Sequence, residues 1–498
     1  MVESNCVGMS ILKKTKKKSS KAVAAQQGFH LLVHVLQIVV LSRLLEPEDY
    51  GLAAMAGVVF TMANVFKDFG FSSSAIQSKE ISKQDSDNLF WIGIFVSIGI
   101  AALIAASSPF VAMFYKQSMV TWLILVMAVT YLIAALGNQP KALAQREFRF
   151  RELAIWAIAG KSLGFSSGIW AAMSGWGPWS IVMMHLVEGT ITSLGSFVVS
   201  GYVPGKMKNL QETRDHFKFG TLLTVSGLMS FFSRNTDKIL IGRFFGAASL
   251  GFYTRAHGLL IFPMTSILSG FNRLNLASLS RLADKPAKFH RTQVQILQFY
   301  LLASAAIILP ATVAARDVVL LAMGEKWLPV VPVFVITSPY AWYKIVSYIC
   351  NVSMISKGKM AALTKLHFWN CILSVVTILA ATPFGLHGLA MAFSISGVVI
   401  QQPLFLIVAQ RNDAIDWKKI VSLLVQYAIL FAAVVGICQA VNKMALQELI
   451  SIYRIVIVVL TANLLLFSGV CAIPEGRKFI LSKLRFSKRE VAGTEGAR

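Results

Sequence analysis

The stretch "RNTDKILIGRFFG", residues 234–246, sets Arg234, Asp237 and Lys238 inside an apolar run that begins near Phe219. Their i, i+3, i+4 spacing puts all three side chains on one face of a helix. Asp237 can neutralise either Arg234 or Lys238, fixing helix register, and one positive charge is then left over. A lone charge near the middle of a bilayer costs about 2.5 kcal/mol or more, so the surplus must meet water or an anion. Two further cations interrupt apolar segments: Lys161 in "AIAGKSLGFSSGIW" and Lys344 in "YAWYKIVSYIC". Lys161 can instead snorkel along polar neighbours and Lys344 can reach an interface. Against the four cations stand two acids, Asp237 and Glu188 of "HLVEGT", a balance of +2. A cavity lined this way favours an anionic passenger.

His30 and His34 have the i, i+4 spacing of two metal ligands. No Glu follows His30 and no third ligand is identifiable, so they join Gln27 and Gln37 as a polar stripe on one helix. His185 and Glu188, at i, i+3, form either a titratable pair or an interhelical hydrogen bond. With His34 and Asp237 they are the candidates for ion coupling. No GxxxxGK, HExxH or GxSxG motif is present, so neither enzymatic activity nor a cofactor is expected. Five cysteines (Cys6, Cys350, Cys371, Cys438, Cys471) show no CxxC spacing, which argues against a disulfide framework or a metal site.

The elements that must position these residues are membrane helices. Of 498 residues 56% are hydrophobic and 14% charged, against about 25% charged in a soluble domain. The composition predicts an all-α polytopic membrane protein, because spanning backbone must satisfy its own hydrogen bonds. Segments of about 20 apolar residues fall at 22–45, 50–69, 89–115, 119–137, 153–174, 177–201, 219–245, 251–272, 295–315, 327–350, 363–382, 385–410, 417–441 and 452–473. Trp91, Trp122, Trp327 and Trp417 open spans, where amphipathic rings favour the headgroup region. The first segment is longer than a cleavable signal core and is broken by Gln26, Gln27, His30, His34 and Gln37, so it reads as a retained span.

The net charge of +24 does not gather on one face, as a nucleic-acid binder would require. With the N-terminus inside, 35 of the 47 lysines and arginines fall on the cytoplasmic side and eight on the other. This alternation through every loop is the positive-inside pattern, and it places both termini in the cytoplasm.

"LSRLLEPEDYGLAAMA" (41–56) aligns with "IGRFFGAASLGFYTRA" (241–256): Arg43 meets Arg243, Gly51 meets Gly251, and Ala56 meets Ala256. The same offset of 200 pairs Gly70-Phe71 with Gly270-Phe271, and His34 and Gln37 with Arg234 and Asp237. An even number of spans separates the copies, so both cross in the same direction, as in parallel-repeat transporters. The expected organisation is a basic cytoplasmic N-terminus (1–21), an N-lobe of six helices (22–205) and a pseudo-symmetric C-lobe of six (206–410). Two additional helices (411–474) and a basic cytoplasmic tail (475–498) follow.

"DYGLAAMAGVVFTMANVFKDFGFSSSAIQ" (49–77) and "NTDKILIGRFFGAASLGFYTRA" (235–256) resemble signatures of the bacterial polysaccharide transporter family, within the MATE-like exporter-flippase superfamily. The second carries Asn-x-Asp, then Ile-Gly, then Leu-Gly-x-Tyr. The resemblance extends over about 25–410. It implies a flippase of the bacterial inner membrane, moving undecaprenyl-pyrophosphate-linked oligosaccharide for capsule, exopolysaccharide or O-antigen. Related flippases are thought to meet the head group with central cations. Arg234, Lys161, Lys238 and Lys344, with Gln37 and Asn235, are the candidate ligands here; a cation at 234 and an acid at 188 are readings of this sequence alone. Expected partners are the lipid-linked oligosaccharide and membrane lipids, with polysaccharide polymerisation and export proteins as further candidates.

Three rival readings make different demands. A drug or metabolite antiporter on the same scaffold would need an acidic cavity, against the +2 balance. A peptidoglycan-precursor flippase is chemically close and charge does not separate it. A membrane glycan polymerase or ligase would need a sizeable outer loop with an acid–base pair, and the outer loops are short.

Overall fold

The computed structural model describes residues 25–66, 82–207, 214–445 and 451–472. The basic N-terminus, the C-terminal tail and Gly70-Phe71 lie outside the described residues. Described residues are helical with no strand among them, as expected of a polytopic all-α chain. They form two compact units, Met1–Arg255 and Ala256–Arg498.

In the first unit the polar-striped N-terminal segment forms α1, Ala25–Leu44, and the chain turns into α2, Pro47–Phe66. Proline suits the first helical position, where its missing N–H is not needed, and the Asp49 carboxylate accepts the Glu46 N–H at 2.9 Å. Helix α3, Lys83–Tyr115, starts from a reciprocal cap: the Ser82 hydroxyl accepts from Asp85 N–H and the Asp85 carboxylate from Ser82 N–H. Such a box satisfies two orphan donors of the first turn. Helices α4 (Met119–Leu136), α5 (Asn138–Arg146), α6 (Phe150–Met173) and α7 (Trp179–Ser200) follow. Helix α7 packs against α2, α4, α5 and α6.

The α6–α7 contact depends on glycine. A Cβ on Gly164 would lie 2.7 Å from the Met184 carbonyl oxygen and 3.0 Å from Glu188 Cβ, and one on Gly160 would lie 2.8 Å from Thr192 Cγ2. Gly168 faces Met184 Cβ in the same way at 3.1 Å. Three glycines four residues apart therefore let the two backbones close, a device of membrane helices, which have no hydrophobic drive towards one another.

Helix α8, Arg214–Ser280, is continuous except at Gly246, whose φ of 81° and ψ of −178° lie where essentially only glycine goes. The Tyr253 hydroxyl donates to Asp237 Oδ2 across this break at 2.8 Å. A straight helix would hold residues sixteen apart at about 24 Å, so the chain doubles back and α8 is a hairpin of two arms. The arms correspond to the expected spans at 219–245 and 251–272.

The corner of this hairpin meets the corner between α1 and α2. A Cβ on Gly51 would stand 1.8 Å from the Ala247 carbonyl oxygen, and one on Gly251 would stand 1.9 Å from that of Pro47. The two contacts are reciprocal at the repeat offset: 51 meets 247 and 251 meets 47. Such an exchange is the mark of a two-fold contact, here between the two copies of the motif within one unit.

The second unit contains α9 (Pro286–Val313), α10 (Ala315–Met323), α11 (Val330–Tyr343), α12 (Ile345–Ser356) and α13 (Met360–Ala381). Gly385, with φ 69° and ψ −173°, repeats the Gly246 corner and leads into α14 (Gly385–Ser396) and α15 (Gln402–Arg411), joined by a π-helical turn at Gly397–Gln401. Helices α16 (Trp417–Ala445) and α17 (Ser451–Ala472) complete it. Helix α9 packs against α11, α12, α16 and α17. Arg454 of α17 pairs with the buried Asp317 of α10 at 3.2 Å.

Ten helical segments among the described residues are long and apolar enough to cross a membrane. One of them, Met360–Arg411, contains two expected spans joined at Gly385. Helix α6 and the α8 hairpin are not among the ten. They are the helices that carry Lys161 and the Arg234–Lys238 cluster.

Candidate functional site

The first unit gathers most of the candidate residues. Lys161 of α6 and Glu188 of α7 form an ion pair, Nζ to Oε2, at 3.0 Å. Their side chains remain 13% and 23% exposed, so the pair is largely enclosed and still open to one side. The glycines of α6 set its length, since Gly160 and Gly164 flank Lys161 and rest against the backbone that carries Glu188. The charges of both partners reach His30 of α1 and His185 of α7, and that of Lys161 also reaches His34. His30 Nε2 is buried with no hydrogen-bond partner among the described residues. Gln37 is buried on the same stretch of α1 and donates to Met184 Sδ at 3.1 Å.

The α8 cluster is arranged differently from the expected pairing of Asp237 with Arg234 or Lys238. Asp237 is buried and accepts from the Tyr253 hydroxyl and from the backbone N–H of Lys238, each at 2.8 Å. Lys238 Nζ donates to Asn235 Oδ1 at 3.3 Å, and Asn235 Nδ2 donates back to the Phe231 carbonyl at 2.9 Å. Asp237 thus ties the two arms of the hairpin together, and among the described residues no carboxylate pairs with Arg234. Asn235, Thr236 and Asp237 are buried while Arg234 is exposed. Lys344 belongs to the second unit, at the break between α11 and α12, with Nζ 5.7 Å from the Tyr340 ring centroid.

Two residues were missed. Arg255, one of the eight cations assigned to the outer side, lies on the second arm of α8 with its guanidinium 3.7 Å from the centroid of the Tyr50 ring, and its charge reaches His34. Its cation–π seat was not legible because the partner is 205 positions away. Tyr253 was visible only as the last residue of Leu-Gly-x-Tyr; its near-symmetric spacing with Asp237 about Gly246 was the available signal. No group of three metal-ligating side chains occurs among the described residues. A cavity of about 640 Å³ in the second unit, lined by Trp342, Tyr343, Phe431 and Val435 among others, contains none of the candidate charges. What the first unit offers chemically is guanidinium and ammonium groups on membrane helices, beside the carboxylates of Glu188 and Asp237 and several imidazoles.

Known proteins share both sequence and fold with this chain. The family model described as "Polysaccharide biosynthesis protein" matches residues 40–332. An uncharacterized membrane protein in the cps region of Klebsiella pneumoniae is 25% identical over 382 residues, 76% of this chain and 79% of that protein. The lipopolysaccharide biosynthesis protein WzxC of Escherichia coli (strain K12) is 23% identical over 301 residues, 60% of this chain and 61% of its own length. Among solved structures, the lipid II flippase MurJ in an inward closed conformation has a TM-score of 0.70 at 11% identity, covering 91% of this chain and 98% of its own.

Proposed function

The chain belongs to the polysaccharide biosynthesis protein family, and from that membership we propose that it flips lipid-linked oligosaccharides across the bacterial inner membrane. It is a multi-pass membrane protein with a transporter fold, and not an enzyme. The passenger is an undecaprenyl-pyrophosphate-linked repeat unit for capsule, exopolysaccharide or O-antigen. Pyrophosphate is a multiply charged anion that hydrocarbon excludes, and sugar hydroxyls lose water bonds on entering it. The lipid tail can stay in the bilayer while the head passes through a polar, cationic route that opens alternately to the two sides.

The observation that carries this reading is Arg234. It is exposed on a hydrophobic helix arm directly before the buried Asn235, Thr236 and Asp237, and its expected counter-charge is engaged by Tyr253. An uncompensated cation at that position costs about 2.5 kcal/mol or more, a penalty an anionic head group removes. Lys161 and Lys238 are the second and third ligands, with Asn235 positioning Lys238. WzxC is named for lipopolysaccharide biosynthesis, which favours a polysaccharide precursor over a peptidoglycan one.

Transport of a lipid-pyrophosphate oligosaccharide in sealed vesicles tests the reading. Arg234→Ala should abolish flipping in protein that still folds and inserts, while Arg234→Lys should retain part of it. Normal transport by both variants would remove Arg234 from the mechanism.

A further inference from the structure

Glu188 has no part in holding an anion, yet it occupies the cation that should. Its carboxylate is 3.0 Å from Lys161 Nζ, and 23% of its side chain is open. The close α6–α7 packing at Gly160 and Gly164 prevents the two helices from drifting apart to free the lysine. Head-group binding must therefore break this ion pair by exchange. The titratable groups that its charges reach are His30 and His34 of α1 and His185 of α7; Lys141 of α5 acts in turn on His30, and Arg255 of α8 on His34. Glu188 is the acid whose charge reaches both His30 and His185.

A phosphate oxygen that takes the Lys161 hydrogen bond leaves the Glu188 carboxylate without its counter-charge and beside a second anion. Two anions that share a site cannot both stay ionised cheaply, and one takes a proton. We propose that the Lys161–Glu188 pair couples head-group binding to proton uptake: pyrophosphate takes Lys161, and the released Glu188 carboxylate takes one proton from water. This rests on the flippase reading above and adds a bookkeeping of charge to it. No covalent bond changes; the Glu188 oxygen gains the proton and Lys161 stays protonated throughout. The proton then accompanies the head group, lowering by one the negative charge that crosses, and returns to water when the head group leaves and the ion pair re-forms. Linkage is reciprocal, so low pH must tighten head-group binding. While Glu188 is ionised in the free chain, the affinity should change by up to tenfold per pH unit.

The test uses the full chain in detergent micelles with undecaprenyl pyrophosphate as probe. Calorimetric titration in two buffers of different ionisation enthalpy counts protons. Wild type should take up close to one proton per probe more than Glu188→Gln, the probe's own titration cancelling in the difference. The pH dependence of Kd should flatten in Glu188→Gln and persist in His185→Asn. Difference infrared spectroscopy of wild type should show a carboxylic-acid band appearing on binding, a readout that needs no variant. Binding with equal proton counts in wild type and Glu188→Gln, or without the band, overturns the exchange and leaves the flippase reading standing. Failure of folded wild type to bind the probe overturns both.

Discussion

Lys161 and Glu188 are each other's counter-charge in a setting where neither is well hydrated. Removing one partner of an enclosed pair strands the other, which costs about 3–5 kcal/mol when burial is complete; the residual exposure here reduces that to about 1–3 kcal/mol. Lys161→Met should therefore lower stability measurably in detergent thermal melts. The double variant Lys161→Met with Glu188→Leu should lose less than the single one, because it leaves no stranded charge; a larger loss would mean that the two residues do not act as a pair. Asp237 makes a second case. Tyr253→Phe deletes one of its two donors and should cost about 1–3 kcal/mol by the same melts, whereas an unchanged melt would show that the hydroxyl bond across the hairpin is dispensable. Both carboxylates stood out in the sequence because charge is rare in apolar segments. Their partners did not, since Lys161 to Glu188 and Asp237 to Tyr253 are pairings across helix turns that spacing alone cannot choose among.

At the scale of the element, the same lesson concerns glycine. The offset of 200 identified Gly51 and Gly251 as equivalent, and equivalence says nothing about adjacency. In the fold their corners touch each other, each glycine admitting the carbonyl of the other copy's corner. A side chain at either position must push backbone rather than a flexible side-chain tip, and overpacking of this kind costs about 1–3 kcal/mol or more. Gly51→Val and Gly251→Val should therefore destabilise the chain by similar amounts, and combining them should cost less than the sum, because both relieve the same contact. Full additivity in denaturation of the three variants would show that the corners are independent. The glycines at 160, 164 and 168 were equally present in "AGKSLGFSSGIW", but their four-residue spacing gains meaning only with a partner helix, and α7 was not identifiable as that partner beforehand.

Fourteen spans were expected, and among the described residues ten helical segments, one of them holding two expected spans, pass as membrane helices on length and apolarity. The shortfall is physical. Helix α6 and both arms of α8 carry Lys161, Arg234, Asp237, Lys238 and Arg255, so the helices that look least like membrane spans are those that hold most of the candidate charges. Charge alternation recovers them, because omitting any one would exchange inside for outside in every later loop. The fourteen-span reading therefore commits to an orientation. In a variant with its native cysteines replaced, Gln117→Cys, between α3 and α4, should react with a membrane-impermeant maleimide added to spheroplasts. Lys359→Cys, between α12 and α13, should react only after the membrane is opened. Seven spans lie between these two positions when α6 and both arms of α8 all cross, an odd number, so the 117 turn and the loop before residue 359 then face opposite sides of the membrane. Labelling of both from outside would mean that one of the charged helices fails to cross, and the route for an anionic head group would lose its walls.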